Sequence, residues 1–578
     1  VDGRGRGTVT DLTANDLTVT DGYFTLKGNL AMQGLPDINT TLITFRDGEV
    51  TTTGKGIIHY APALKGNPVF TADSVSYLKF NGLFEGYIEN FRVAGTFKSN
   101  LGEAVTDISL IMPGFKADSA TYTGSVTTNH LQLGKVLQQP LLGDITTNQK
   151  VTGRSFNPAN MQMRLDGVIN EFQVNGYRYH NIITEGTLAR QQFDGRVLVD
   201  DPNLALDFDG HLNYSGNDLH IDATAHLLAS NLRAMRLVSD SITASADFLL
   251  NCTGKNIDNF FGSAKLFNID LRRNAHRLDI DSIYVLSAGD SINRLLKVSS
   301  SAFNAEINGR YKLTELPVAV QYYLSQYIPN YVRQPDTKLS GQQFDFSLTT
   351  HDVDSIFAVT LPIIRGFDDV KVKGSFNTTA GTMSVDAWVP WGKVGPLELT
   401  GAELVGVGDL DRLSLNTTVA FASLADSAVK GAMSLNTTVG NDSIGFTLST
   451  ISPDKESSAT LSGLIRAHKD TLTLTTAPSQ FYLSRVKWDV AGGSMVQYSD
   501  RFLAVERVLI TSGIQQISVS GTPANGGTLL LNAHNIDVAH LGNIAGFDGY
   551  QPDGRIDATV SVNDMFGNLR LNANVRAM

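Results

Sequence analysis

The 578-residue chain has a single cysteine, Cys252, so neither an internal disulfide nor a multi-cysteine zinc site can form. Charge is also scarce: 18% of residues are charged, against about 25% in ordinary globular chains. The 46 basic and 57 acidic residues leave a net charge of −11. No basic run exceeds Arg272-Arg273. A protein that neutralises phosphates needs a basic face, so no nucleic-acid partner is expected. No apolar run reaches the roughly 18 residues of a transmembrane helix. The opening Val1-Asp2-Gly3-Arg4-Gly5 is too polar for a signal peptide. The chain starts without Met and stops within an alternating run, Leu569-Arg570-Leu571-Asn572-Ala573. It reads as a middle fragment whose targeting segment lies elsewhere.

Catalytic patterns are lacking too. None of the 11 histidines has metal-ligand spacing. The closest pair, His220 and His226, would sit about 20 Å apart on a strand. No His-Glu-x-x-His, Gly-x-Ser-x-Gly or phosphate-loop pattern occurs. Gly3-Arg4-Gly5-Arg6-Gly7 lacks the strand and helix that a dinucleotide site requires. Asp207-Phe208-Asp209-Gly210 and Asp409-Leu410-Asp411 resemble half a calcium loop without the remaining oxygen ligands. Asp200-Asp201 and Asp368-Asp369 could supply paired carboxylates for glycoside hydrolysis, but a chain of this length carries such pairs by chance. Cys252 shares a phase with Phe248 and Leu250 and reads as a small buried hydrophobe. A non-enzymatic protein with no cofactor and no metal is expected.

What is present is alternation. Leu204, Leu206, Phe208, Leu212 and Tyr214 share one phase, as do Leu219, Ile221, Ala223, Ala225 and Leu227. Phe303, Ala305, Ile307, Tyr311 and Leu313 form another set; Leu413, Leu415, Val419 and Phe421 a fourth; Ile556, Ala558, Val560 and Val562 a fifth. Period-two spacing places each set on one face of a sheet. The 42% hydrophobic content excludes wholesale disorder, and the missing helical period excludes a helical bundle. Residues 193–214 read as two strands joined at 200–203, or as one bent strand.

Glycine has a phase as well. Apolar-x-Gly-x-apolar, alanine not counted, occurs fourteen times among 53 glycines, against roughly six from composition alone. Glycine on the apolar face removes bulk where a sheet bends. Ser414-Leu415-Asn416-Thr417-Thr418-Val419 recurs as Ser434-Leu435-Asn436-Thr437-Thr438-Val439, a spacing compatible with stacked, solenoid-type units. Helix is sparse: the spacing predicts one over 317–331, with weaker starts at Leu131, Asn231 and Ile536.

Several stretches carry a family style. They are Gly28-Asn29-Leu30-Ala31-Met32-Gln33-Gly34 with Thr51-Thr52-Thr53-Gly54; Gly176-Tyr177-Arg178-Tyr179 with Phe193-Asp194-Gly195 and Leu206-Asp207-Phe208-Asp209-Gly210; Leu278-Asp279-Ile280-Asp281-Ser282-Ile283 with the run 300–313; and Val486-Lys487-Trp488 with Ile517-Ser518-Val519-Ser520-Gly521. In these the chain resembles the TamB proteins of the AsmA-like superfamily. The resemblance covers most of the chain as spacing, without a catalytic signature.

It implies an all-β fold: an elongated, twisted, curved sheet forming a solenoid-like trough with an apolar inner groove and a few short helices. It implies a periplasmic location, within a protein anchored in the inner membrane outside this fragment. It implies phospholipid acyl chains as cargo, an outer-membrane TamA-like barrel partner and contact with nascent outer-membrane proteins. One continuous trough over 1–578 is expected, with soft subdivisions 1–228, 229–335 and 336–578. With about 25 residues per rung and about 4.8 Å between rungs, it would extend on the order of 100 Å. The groove lining is expected to include Leu26, Leu30, Leu165, Ile169, Leu204, Leu206, Phe208, Leu212, Ile221, Phe303, Ile307, Tyr311, Leu413, Leu415, Val419 and Val560. The alternatives are a chaperone that augments client β-strands, an outer-membrane barrel, and a surface β-helix adhesin or polysaccharide lyase.

Overall fold

Hairpins with tight turns generate the fold. Val174 pairs with Tyr177, Ala189 with Gln192, and Gly440 with Ser443, so each connection is two residues long. Both turn residues have positive φ in Asn175-Gly176, Arg190-Gln191 and Asn441-Asp442. This is the type I′ turn, whose twist matches that of the strands and fixes their register. A computed structural model describes residues 1–60, 75–137, 139–157, 159–274, 276–278, 280–290, 292–336, 340–424, 430–468, 470–499, 502–522, 527–540, 553–566 and 568–577. The fold is all-β. Among the described residues there are thirty-eight strands and four short α-helices, Gly54–Tyr60 (α1), Leu133–Leu137 (α2), Leu316–Tyr327 (α3) and Asp354–Thr360 (α4), and every strand pairing with a described register is antiparallel.

Two units emerge, Val1–Tyr284 and Val285–Met578. Their division falls inside the 229–335 subdivision read from sequence. In the first unit each strand from Asp2–Thr8 to Phe261–Arg273 pairs with the strands before and after it in sequence. The second unit follows the same plan with two local splits. Thr382–Val394 faces both Ile364–Gly366 and Lys371–Asn377, and the long strand Ser458–His468 faces two short ones, Thr471–Thr476 and Ser479–Leu483. Trp488, only 2% exposed, fills this joint, its ring 6.1 Å from Phe481 and parallel to it.

The core is thin. The chain exposes 32614 Å², whereas two separate compact globules of half its 62.4 kDa would together expose about 24,000 Å². Each unit therefore keeps much of its apolar face at half-burial instead of sealing it under a second layer.

Glycine marks where adjacent strands close in on each other. Gly186, Gly195 and Gly210 lie opposite one another on three successive strands. A Cβ on Gly195 would stand 2.3 Å from the Glu185 carbonyl oxygen and 2.4 Å from the Gly186 Cα. Gly124 is tighter, at 2.0 Å from the Asp107 oxygen. Backbones approach this closely only when no side chain intervenes.

Several expectations change in detail. There is about one strand per 15 residues, so the repeating step is a single strand and turn, shorter than the 25-residue rung. Residues 193–214 form two strands, Gln192–Asp201 and Leu204–Asn213. The repeated hexapeptides pair with each other, antiparallel about Asn416 opposite Asn436, as two arms of one hairpin. The predicted 317–331 helix is Leu316–Tyr327 (α3): Ile328 leaves helical geometry, as the residue before a proline tends to. Leu131 lies on the strand Thr121–Gln132, and the helix α2 begins two residues later, at Leu133–Leu137. Asn231 opens a run of turns, because its side chain and carbonyl satisfy the amides of Ala234 and Met235 without a helix. Ile536 stays in the strand Thr528–Asp537, and among the described residues a single 3₁₀ turn, Val538–His540, follows it. No helix among the described residues is long and apolar enough to cross a membrane.

Candidate functional site: in-register apolar rows

Antiparallel register turns alternation along each strand into rows across strands. In the first unit one row passes through Leu30, Phe45, Phe84, Val93, Ile108, Val151, Leu165 and Leu250. Followed over sixteen successive strands, from Gly5 to Ala264, it contains only apolar residues and glycine. The adjacent row runs from Gly7 to Gly262 through Met32, Phe91, Leu110, Leu188, Phe193, Leu212 and Ile221; its one hydroxyl is that of Tyr122. Cys252 belongs to this row, opposite Ile221, and burial pushes its thiol pKa up. The other face carries cross-strand ion pairs such as Arg92–Asp107 at 2.7 Å and Lys79–Glu49 at 2.7 Å. These pairs are exposed and contribute little to stability.

The second unit repeats the arrangement. A row runs from Gly309 through Phe344, Phe376, Met383, Leu413, Val439, Ile465, Val496 and Val505 to Leu571. It again contains only apolar residues and glycine.

Every proposed lining residue has the parity of these rows. Leu26 lies opposite Val50, Leu206 opposite Leu227, and Ile169 opposite Ile182. Phe208 lies opposite Ala225, Leu204 opposite Ser230, and Val560 opposite Leu531. Phe303, Ile307 and Leu415 continue the pattern in the second unit. Val419 and Tyr311 are buried, at 2% and 4% exposure, and the other fourteen are half-buried.

Two features of this face were missed in the sequence. The first is a polar island in the first unit. Thr128 and Thr147 are directly opposite, and Gln149 lies opposite Gly167. Gln149 is 7% exposed; its amide nitrogen donates to Thr147 Oγ1 at 3.1 Å, and its carbonyl accepts from Thr184 Oγ1 at 3.2 Å. The signal was available: Thr147 and Gln149 share the phase of Ile145 and Val151.

The second feature is α3, which lies on the apolar face of the second unit. Ala319, Tyr323 and Tyr327 form one buried cluster with Tyr311, Phe344 and Phe376; Ile307, Met383, Leu413 and Val439 pack against it. The Tyr323 hydroxyl donates to the Asn377 carbonyl at 2.9 Å, and the Tyr327 hydroxyl to that of Asp409. Burial, with help from neighbouring Tyr327 and Tyr322, pushes the Tyr323 hydroxyl up to about 12. Tyr311, Ile307 and Leu413 thus line a filled stretch of the face.

At the base of α3, Glu315 accepts from Lys312 Nζ at 2.7 Å and from the Ser340 hydroxyl and amide. The Lys312 ammonium first, and Ser340 after it, hold the Glu315 carboxyl down at about 2 against an ordinary 4.5. A depressed folded-state pKa stabilises fully above the unfolded value and is lost as pH falls through the folded one. Thermal unfolding followed from pH 5 to 2 should therefore show wild type losing its advantage over Glu315→Gln between about pH 4.5 and 2. A constant difference across that window would contradict this role.

The remaining polar candidates have structural partners. His220 bonds Thr253 at 2.8 Å and His226 bonds Asp247 at 2.6 Å, each across to the next strand. Burial raises the Asp201 carboxyl, but hydrogen bonds from Tyr177, the Asn203 amide and His180 outweigh it and hold the pKa below the usual range. Asp368 accepts from the Val353 amide, and Asp409 accepts from those of Asp411 and Arg412. His130, Asp144 and Glu171 place ligand atoms within 4.8 Å of one another. The Arg178 guanidinium already bridges the two carboxylates, at 3.0 Å to Asp144 and 2.5 Å to Glu171, and so offsets one of their two charges. No family model matches this chain, and no curated protein matches it.

Proposed function

We propose that this chain is a non-enzymatic conduit for phospholipid acyl chains. It would work in the periplasm between inner and outer membranes, as a TamB-like part of an inner-membrane-anchored protein. The observation that carries the reading is the apolar row of each unit, running from strand to strand and half-buried over much of its length.

The rows suit sliding as well as binding. Successive strands are about 4.8 Å apart, so a chain lying along a row meets a similar apolar surface at every step. Each buried methylene contributes about 0.8 kcal/mol, and translation by one strand exchanges one such contact for another. Headgroups would stay at the open side, in water. A TamA-like barrel at the outer membrane and nascent outer-membrane proteins are the partners this reading carries with it.

The test is native mass spectrometry of the chain purified without detergent from a Gram-negative host. Phospholipid adducts that exchange with added phosphatidylethanolamine vesicles are expected. A chain that neither retains nor takes up lipid would overturn the proposal.

A further inference from the structure

The connection that carries α3 is out of proportion to the sheet. Arg310 and Gln343 are directly paired at the ends of the strands Phe303–Arg310 and Gln343–Thr350. A two-residue turn closes such an end elsewhere in this chain. Here the whole segment 311–342 intervenes, yet the strands do not need it in order to pair. Long connections in compact folds serve function more often than connectivity.

Within it, α3 packs back onto the apolar face. Its base is clasped by Glu315 with Ser340 and by the Lys312 amide donating to Gln342 at 3.2 Å. Its far end is tied to strand turns by the Asp442 amide donating to the Tyr327 carbonyl at 2.9 Å, and by Asn330 to Asp442. A helix that only fills a core presents polar residues outward. α3 instead leaves Val320 at 52% and Leu324 at 41% exposure, apolar surface that an acyl chain beside it would cover.

We infer that α3 is a built-in occupant of the second unit's apolar face. It competes with acyl chains for the row beneath it and gates that stretch. The inference rests on the conduit reading above. The row from Gly309 to Val439 is closed while α3 is seated and becomes available when α3 lifts from its clasped base.

Met383 and Val496 lie on one row, the first packed against the α3 cluster and the second outside it. A photoreactive benzoylphenylalanine at Met383, Val496 or Leu165 of the full chain reports lipid contact from phosphatidylethanolamine–phosphatidylglycerol vesicles. Wild type should label lipid at Leu165 and Val496 and about tenfold less at Met383, a ratio that the loss of about two methylene contacts produces. Replacing 311–342 by an Asn-Gly turn should raise the Met383 yield to that of Val496. The double variant Tyr323→Phe, Tyr327→Phe keeps the segment but removes its hydroxyl ties; it should raise the yield part-way, and it serves if the shortened chain does not fold. Equal labelling at Met383 and Val496 in wild type, or no gain at Met383 in a folded variant, overturns the gate and leaves the conduit standing. Absence of lipid at all three positions overturns the conduit and the gate with it.

Discussion

A carboxylate on the apolar floor is expected to abolish lipid carriage by the first unit without unfolding it. Leu165→Asp places the charge between Val151 and Gly186, in the middle of the row. Leu165 is half-buried, so without lipid the new carboxylate reaches water and the fold loses only about 1–2 kcal/mol of apolar burial. Under an acyl chain the same carboxylate is dehydrated without a partner, at a cost of several kcal/mol. Lipid retention should fall more than about a hundredfold, since each 1.4 kcal/mol is tenfold. Ser109→Asp, on the exposed opposite face, is the control and should change nothing. Lipid per protein by mass spectrometry and melting by circular dichroism separate the two effects. Equal lipid in both variants would sink the reading of this face as the carrier.

Gly195→Val should strongly destabilise the floor of the first unit. The added Cβ meets the backbone of Glu185 and Gly186, neither of which is a flexible side-chain end. Overpacking of this kind costs about 1–3 kcal/mol. The backbone, at φ +155°, adds about 1–3 kcal/mol for a β-branched residue. A total of about 2–6 kcal/mol would consume much of a marginal stability. Gly5→Ala lies on the same row with nothing within 4 Å and should be nearly neutral. Urea unfolding of the two variants measures the difference. A Gly195→Val protein as stable as wild type would mean that adjacent strands do not close in on each other at this row.

The polar island shows why burial alone did not identify function. Thr147 and Gln149 are buried on the apolar face and satisfied by each other and by neighbouring groups. A satisfied internal network costs little and holds register. It interrupts the two rows that pass through it and leaves the row through Leu165 untouched.

The sequence by itself determined the all-β class, the phase of the apolar face and the location of one helix. Each of these is local: side chains on a strand alternate with period two, and a helix shows its own period, whatever surrounds them. Only the tertiary structure decided that Leu30 and Leu165 share one row, that the two hexapeptide copies are arms of a single hairpin, and that α3 lies on the second unit's apolar face. Row membership depends on the register of every intervening strand, including one-residue shifts at bulges such as that between Phe45 and Gly48. Period alone gives a helix an apolar side without naming what that side covers. For α3 that choice came from Phe344, Phe376 and the carbonyls of Asn377 and Asp409, which stand tens of residues away in the chain.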